Sequence, residues 1–141
     1  MNFISLINQF QVTHDTFFTS AAKAVNIRMT IRNWLFGYYI VEYEQNGEDR
    51  ARYGSRLLKE LSNMIPIKGI SETNLKIFRQ FYLTYPAISQ TVSDELHVFD
   101  VETIQCTSKA IIADNKTGLP PSRLLQTLSF SHFVELIKNY D

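Results

Sequence analysis

Basic residues are concentrated in one short part of this chain, between Arg50 and Pro86. The segment holds seven of the fourteen lysine and arginine residues and only two acids, a local charge of +5 in a chain whose formal net charge is zero. Guanidinium and ammonium groups at this density can neutralise phosphates, and a local positive field attracts a polyanion even when the whole chain is neutral. The segment is therefore the first candidate for nucleic-acid binding.

The same segment carries a helix-turn-helix pattern. Apolar spacing predicts one helix over residues 53–65 and a short connection over residues 66–70, which contains a proline and a glycine. Ser71 is placed to cap a second helix, which ends before Pro86. In DNA-binding proteins this arrangement lets the second helix lie in the major groove. The alternative is a plain helical hairpin whose solvated face is basic.

Several side chains of this segment have the chemistry that DNA contact requires. Asn74 can pair with adenine and Arg79 with guanine, while lysines neutralise phosphates. Arg50 and Arg52 add further cations that could contact the DNA backbone. The predicted DNA-binding residues are Arg56, Lys59, Lys68, Thr73, Asn74, Lys76, Arg79 and Gln80.

A rival hypothesis concerns the apolar stretch from Trp34 to Tyr43, in which Glu42 is the only charged residue. A helix that is apolar on nearly every side must be buried on nearly every side. In a domain this small, part of that burial could come from a second copy or another domain. The chain would then be a protein-interaction or dimerisation module, with interface residues Trp34, Phe36, Tyr39 and Tyr43. The two hypotheses are compatible, because helix-turn-helix modules often bind DNA as dimers.

The remaining sequence predicts a mainly α-helical protein with residues 1–141 as one domain. An apolar stripe over residues 3–10 continues through His14, Phe17, Ala21 and Ala24, so one long helix and two shorter ones both fit. A helix is expected to end near Gly47. We expect an irregular insert over residues 88–120, with Val98–Gln105 as a short strand or a loop, and then two helices over residues 121–128 and 129–140.

An enzymatic alternative rests on Ile111-Ile112-Ala113-Asp114-Asn115-Lys116. This run mimics an apolar strand followed by the Asp-x-Lys of certain nucleases, and Asp100 lies upstream as a second carboxylate for Mg²⁺. Too few residues remain to build the sheet that such a nuclease needs, so this alternative is disfavoured. His14, His97, His132 and Cys106 lack metal-ligand spacing, and neither a metal nor a cofactor is predicted.

Cysteine content and hydropathy indicate the cellular compartment in which the protein is expected. Cys106 has no cysteine in the chain with which to pair, which fits a reducing cytoplasm. The chain has neither a secretory signal pattern nor the run of about 20 apolar residues that spans a membrane. We therefore expect a cytoplasmic protein without a membrane partner.

Seven short runs follow one another at characteristic spacing: Ala24-Val25-Asn26, Glu44-Gln45-Asn46-Gly47, Arg50-Ala51-Arg52-Tyr53-Gly54, Leu57-Leu58-Lys59-Glu60-Leu61-Ser62, Gly69-Ile70-Ser71-Glu72-Thr73-Asn74-Leu75, Arg79-Gln80-Phe81-Tyr82 and Tyr85-Pro86. Together they resemble the N-terminal domain of bacterial YhcG-like proteins over residues 20–140, with a poor match near 88–120. A later run, Leu128-Ser129-Phe130-Ser131-His132-Phe133, looks like that family's Leu-Ser-Trp-Ser-His-Tyr segment, with Phe130 in place of Trp.

This resemblance implies a helical DNA-binding module. In the family, the module precedes a C-terminal nuclease domain of the PD-(D/E)XK class, which carries the metal-dependent chemistry. The resemblance therefore implies a non-catalytic module that targets or assembles a nuclease domain in cis or in trans. The expected partners are duplex DNA, that nuclease domain and a second copy of the chain.

Overall fold

The computed structural model describes residues 1–114 and 130–138, which form helices joined by turns and contain no strand. The mainly α-helical class is thereby confirmed. Short 3₁₀ turns occupy Gly54–Arg56 and Pro86–Ile88. The α-helices are α1 Phe3–Asn46, α2 Arg50–Tyr53, α3 Leu57–Met64, α4 Glu72–Thr84, α5 Ser89–Leu96, α6 Glu102–Asp114 and α7 Phe130–Lys138.

The helix α1 is continuous over 44 residues, which decides between the one-helix and two-helix interpretations of its apolar stripe. Asn2 begins it with a capping box: its side-chain oxygen accepts from the Ser5 amide at 2.8 Å, and Ser5 Oγ accepts from the Asn2 amide at 3.0 Å. Gly47 follows its end, as predicted, and donates to the Tyr43 carbonyl at 2.8 Å. At about 1.5 Å per residue, α1 is roughly 65 Å long.

The second half of α1 packs against α4, and Gly37 allows the two backbones to approach closely. A Cβ at Gly37 would lie 2.0 Å from the carbonyl oxygen of Phe78, so no larger residue fits there. Nearby, Trp34 is fully buried and its Nε1 donates to the Tyr85 carbonyl at 3.0 Å. The core therefore forms around the α1–α4 contact, and α4 is held rigidly on α1.

The predicted irregular insert is wrong for residues 89–96 and 102–114, whereas residues 97–101 between them are irregular, as predicted. Residues 89–96 and 102–114 form α5 and α6, which pack together as a helical hairpin. Their inward faces include Ser93 and Ser108, whose buried hydroxyls hydrogen-bond to each other. Polar residues at interior positions weakened the apolar periodicity, which hid both helices from pattern analysis. Of the predicted Val98–Gln105 strand or loop, the last four residues belong to α6.

The helix predicted over residues 53–65 is divided. Helix starts earlier, at Arg50, and is interrupted by the 3₁₀ turn that begins at Gly54, whose φ is +50°. Such an angle is available to glycine and costly for other residues. The second helix of the predicted pair, α4, begins after Ser71 and ends before Pro86, as expected. The role of the α3–α4 pair as a DNA-reading helix-turn-helix stays a prediction.

The final helix, α7, lies within the predicted range 129–140. Its Phe133 is fully buried, 4.9 Å from the ring centroid of Phe81 on α4. The Phe130 ring packs against both Phe78 and Phe81. The helix predicted over residues 121–128 lies outside the described residues.

Candidate nucleic-acid interface

The basic segment presents nearly all of its charge to solvent. Six of its seven cations are exposed and Arg79 is half-buried. Of the two acids, Glu60 is half-buried in the first turn of α3, and Glu72 is exposed at the start of α4. The exposed cations are Arg50, Arg52, Arg56, Lys59, Lys68 and Lys76.

The arginines of α2 and the following turn contact backbone and rings, with no carboxylate partner in residues 1–114 or 130–138. Arg50 donates to the Gly47 carbonyl at 2.9 Å and Arg56 to the Arg52 carbonyl at 3.1 Å. The guanidinium carbon of Arg52 lies 5.8 Å from the centroid of the Tyr53 ring. These contacts orient the side chains without neutralising them, so their charge remains available to a polyanion.

Lys76 has only a weak intramolecular partner. Its Nζ lies 3.7 Å from Glu72 Oε1, one helical turn away, and the two side chains are 65% and 46% exposed. Exposed pairs at this spacing stabilise a helix by only about 0.3–0.5 kcal/mol. A phosphate can displace Glu72 from Lys76 at little cost.

Arg79 is more firmly engaged. Its Nε donates to Glu44 Oε1 at 2.6 Å, which ties α4 to the last turn of α1. Both side chains are 37% exposed, so solvent still screens the pair. To read a guanine, Arg79 would have to leave this carboxylate.

Asn74 stabilises the turn that precedes α4 through two hydrogen bonds. Its Nδ2 donates to the Gly69 carbonyl at 2.7 Å, and its backbone amide donates to Ser71 Oγ at 3.1 Å. Gly69 has a φ of +92°, so the carbonyl that Asn74 holds belongs to a left-handed turn residue. Gln80 similarly donates to Thr84 Oγ1 at 3.2 Å, while Thr73 is exposed. The polar residues predicted to read bases thus already have structural partners.

The predicted interface residues divide between core and surface. Trp34 is fully buried within the chain and offers no surface of its own. Phe36, Tyr39 and Tyr43 line a cavity of about 880 Å³ between α1 and the α2–α3 region. Sequence reasoning missed this cavity, because its opposite walls come from residues distant in the chain. The other lining residues include Asp49, Arg52, Tyr53, Arg56, Glu60 and Leu61.

A hydrogen bond fixes the rim of this cavity. The Tyr43 hydroxyl donates to Asp49 Oδ1 at 2.5 Å. This bond, with lesser contributions from desolvation and the carboxylate charge, raises the pKa of Tyr43 to about 12. Tyr43 and Asp49 are thereby held together at the edge of the cavity that Arg52 also lines.

Comparison with known proteins identifies the family to which this chain belongs. The family model described as the DUF1016 N-terminal domain matches residues 15–141. The chain belongs to this family. A protein of Escherichia coli (strain K12), named "Putative nuclease YhcG", is 36% identical over 120 residues. That alignment covers 82% of this chain and 29% of the relative, so the chain spans under a third of the relative's length. No solved structure matches.

The structure of this DUF1016 N-terminal domain contradicts the strand required by the enzymatic alternative. Ile111 and Ile112 lie in α6 and not in a strand before Asp114. Asn115 and Lys116 lie outside the described residues. In the part of the chain that the structure describes, no cluster of three or more His, Cys, Asp or Glu residues could hold a metal ion. No described helix combines the length and apolarity needed to cross a bilayer.

Proposed function

We propose that this DUF1016 N-terminal domain is a non-catalytic module that binds duplex DNA for a nuclease domain in cis or in trans. The proposal rests on five exposed cations that form no ion pair with a carboxylate among the residues that the structure describes. They are Arg50, Arg52, Arg56, Lys59 and Lys68. A relative named as a nuclease supports DNA as the polyanion, because phosphodiesters are the substrate of nucleases.

The side-chain partners favour contact with phosphates over reading of bases. Asn74, Arg79 and Gln80 each have an intramolecular hydrogen bond that would have to break before they could reach a base edge. The five exposed cations have no carboxylate partner among the described residues, and Arg50 and Arg56, which each donate to one backbone carbonyl, retain other guanidinium N–H groups for a phosphate. We therefore propose binding that is largely independent of DNA sequence, with Lys76 and Thr73 as further backbone contacts beside the five cations.

This mode has a measurable signature. Backbone binding releases counterions, and log K falls with log salt concentration with a slope of about −0.9 for each phosphate neutralised. Six engaged cations, the five above and Lys76, would give a slope of about −5. Nonspecific binding of this kind has Kd values of about 10⁻⁴ to 10⁻⁶ M at physiological salt. The expected affinity is therefore modest and strongly dependent on salt.

The direct experiment titrates the chain onto fluorescent 20-base-pair duplexes of several unrelated sequences, at four or more salt concentrations. We expect similar affinities for all sequences, measured by fluorescence anisotropy, and a salt slope of about −5. A protein that circular dichroism shows to be folded, yet that does not bind at low salt, would refute DNA binding. A strong preference for one duplex would instead refute the backbone mode and favour base reading through α4.

A further inference from the structure

Among the described residues, 1–114 and 130–138, nothing packs over the first half of α1. Every residue from Phe3 to Asn26 except Ser5 is exposed, and this stretch is defined here as the arm. It is about 36 Å long at the usual helical rise. Nine large apolar residues on it are exposed, among them phenylalanines at 74%, 72%, 72% and 68%. A helix with this much solvated apolar surface is typical of an element that packs against another helix.

Four of these nine apolar residues, together with His14 and two alanines, form a seam with coiled-coil spacing. Successive positions are four and three residues apart in strict alternation, the 3.5-residue period that lets two helices stay in contact along their length. The seam consists of Phe3, Ile7, Phe10, His14, Phe17, Ala21 and Ala24.

The arm has almost no charge. Asp15 and Lys23 are its only charged side chains, and they cancel. Nucleic acid requires a basic surface, and helices that lie on membranes carry several lysines or arginines on their polar face. The arm has neither feature. A neutral, apolar seam fits another neutral, apolar helix.

The order of side chains along the seam makes it complementary to itself. Its first half carries large residues and its second half ends in alanines. If two arms lie antiparallel about His14, Phe3 faces the partner's Ala24 and Ile7 faces the partner's Ala21. Large residues therefore face small ones at both ends, while Phe10 faces the partner's Phe17 near the centre, where aromatic rings can pack against each other. A parallel pair would crowd phenylalanines at one end and leave alanines apart at the other.

The folded part of the chain from Arg28 onward, here called the body, also excludes a parallel pair of arms. The phenylalanine ring at position 99 lies against Arg28, with the guanidinium carbon 5.1 Å from its centroid. Phe99 and Leu96 line a cavity of about 250 Å³ with Arg28 and Arg32, so the body rises beside the seam from Arg28 onward. Two parallel chains would bring both bodies together at that level. In an antiparallel pair, the bodies lie at opposite ends of the arms.

The area is sufficient for a stable contact. With about 150–250 Å² for a fully exposed aromatic side chain, the three phenylalanines of the seam alone present roughly 400 Å² on each arm. With the flanking aliphatic residues, two arms would bury on the order of 1,200 Å², the lower bound of specific protein interfaces. We propose that the arm binds the arm of a second copy of this chain, antiparallel and centred on His14.

Light scattering after size-exclusion chromatography tests this pairing on the 141-residue chain. We expect twice the chain mass for the unaltered protein and the single chain mass for Phe10→Glu/Phe17→Glu. The matched control is Val12→Glu/Thr19→Glu, which places the same charges at the same spacing on the opposite face and should remain a dimer. Near-ultraviolet circular dichroism of buried Trp34 reports that the body stays folded. An unaltered chain that is monomeric at 50 μM, or a dimer that survives Phe10→Glu/Phe17→Glu, would overturn the proposal.

Disulfide trapping tests the orientation. In a Cys106→Ser background, chains carrying Ile7→Cys and chains carrying Ala21→Cys are mixed, with one of them tagged to change its mass. The antiparallel arrangement predicts the mixed disulfide between the two variants. It predicts little pairing of either variant with itself, because like positions are about 21 Å apart along the axis. A predominance of like-with-like disulfides would establish a parallel pair and overturn the proposal.

Discussion

Arg79 Nε lies 2.6 Å from Glu44 Oε1, so the arginine best placed to read a base is held by the last turn of α1. The residues are 35 apart in the chain, and their pairing fixes the middle of α4 against α1. This relationship separates two roles for α4. A structural helix keeps the pair intact on DNA, whereas a recognition helix would exchange Glu44 for guanine.

We expect Arg79→Ala to act on folding more than on DNA binding. The pair is about one-third exposed, so its loss should lower the free energy of unfolding by no more than about 1 kcal/mol. Urea unfolding of Arg79→Ala, Glu44→Gln and the double variant measures this, and the coupling between the two changes isolates the pair. Duplex affinity of Arg79→Ala should remain close to that of the unaltered chain. A loss of about 1–3 kcal/mol in binding, confined to particular sequences, would show that Arg79 reads a base.

Asn74→Ala is expected to destabilise the turn before α4. The substitution removes the hydrogen bond to the Gly69 carbonyl, which should cost about 0.5–1.5 kcal/mol in the free energy of unfolding. Thr73→Ala is the matched control, since Thr73 is the exposed neighbour on the same first turn. Equal midpoints in urea for the two variants would contradict the structural role of Asn74.

Gly37→Ala should destabilise the fold although alanine is the better helix former. The new Cβ would lie 2.0 Å from the Phe78 carbonyl oxygen, a backbone atom that cannot move without displacing α4. Overpacking of this kind costs about 1–3 kcal/mol. Ser20→Ala on the exposed arm is the control and should change the free energy of unfolding by less than about 0.5 kcal/mol. If Gly37→Ala unfolded at the same urea concentration as Ser20→Ala, the close α1–α4 contact would be wrong.

Alkaline pH should weaken the contact between Tyr43 and Asp49. The folded-state pKa of Tyr43 is raised from 10.0 to about 12, so the protonated hydroxyl is favoured by folding. The stability it contributes is complete below pH 10 and is lost as the pH rises through about 12. We therefore expect the stability difference between the unaltered chain and Tyr43→Phe to be constant from pH 8 to 10 and to shrink above pH 10. Urea unfolding across this range measures it, and a difference that grows above pH 10 would contradict the hydrogen bond.

Local signals in the sequence predicted α4 closely, because a capping serine and a following proline define its ends without help from the rest of the fold. The α5–α6 hairpin escaped prediction because Ser93 and Ser108 satisfy each other in the interior, which only the folded chain reveals. The residues of the candidate site divide in the same way, between features that local sequence shows and features that only the fold shows. Exposed cations could be identified by type and density, but the partners of Arg79 and Asn74 depend on tertiary contact and turn geometry.

The proposed function depends on binding of DNA phosphates by cations of the α2–α3 region. The most direct test compares two double variants that remove the same charge, Arg56→Ala/Lys59→Ala within the basic segment and Lys23→Ala/Lys109→Ala outside it. All four side chains are exposed, and both variants should remain folded by circular dichroism. If these cations bind phosphates, the salt slope of duplex binding should become less steep by about 2 for the first variant and stay unchanged for the second. Equal slopes for the two variants would contradict it.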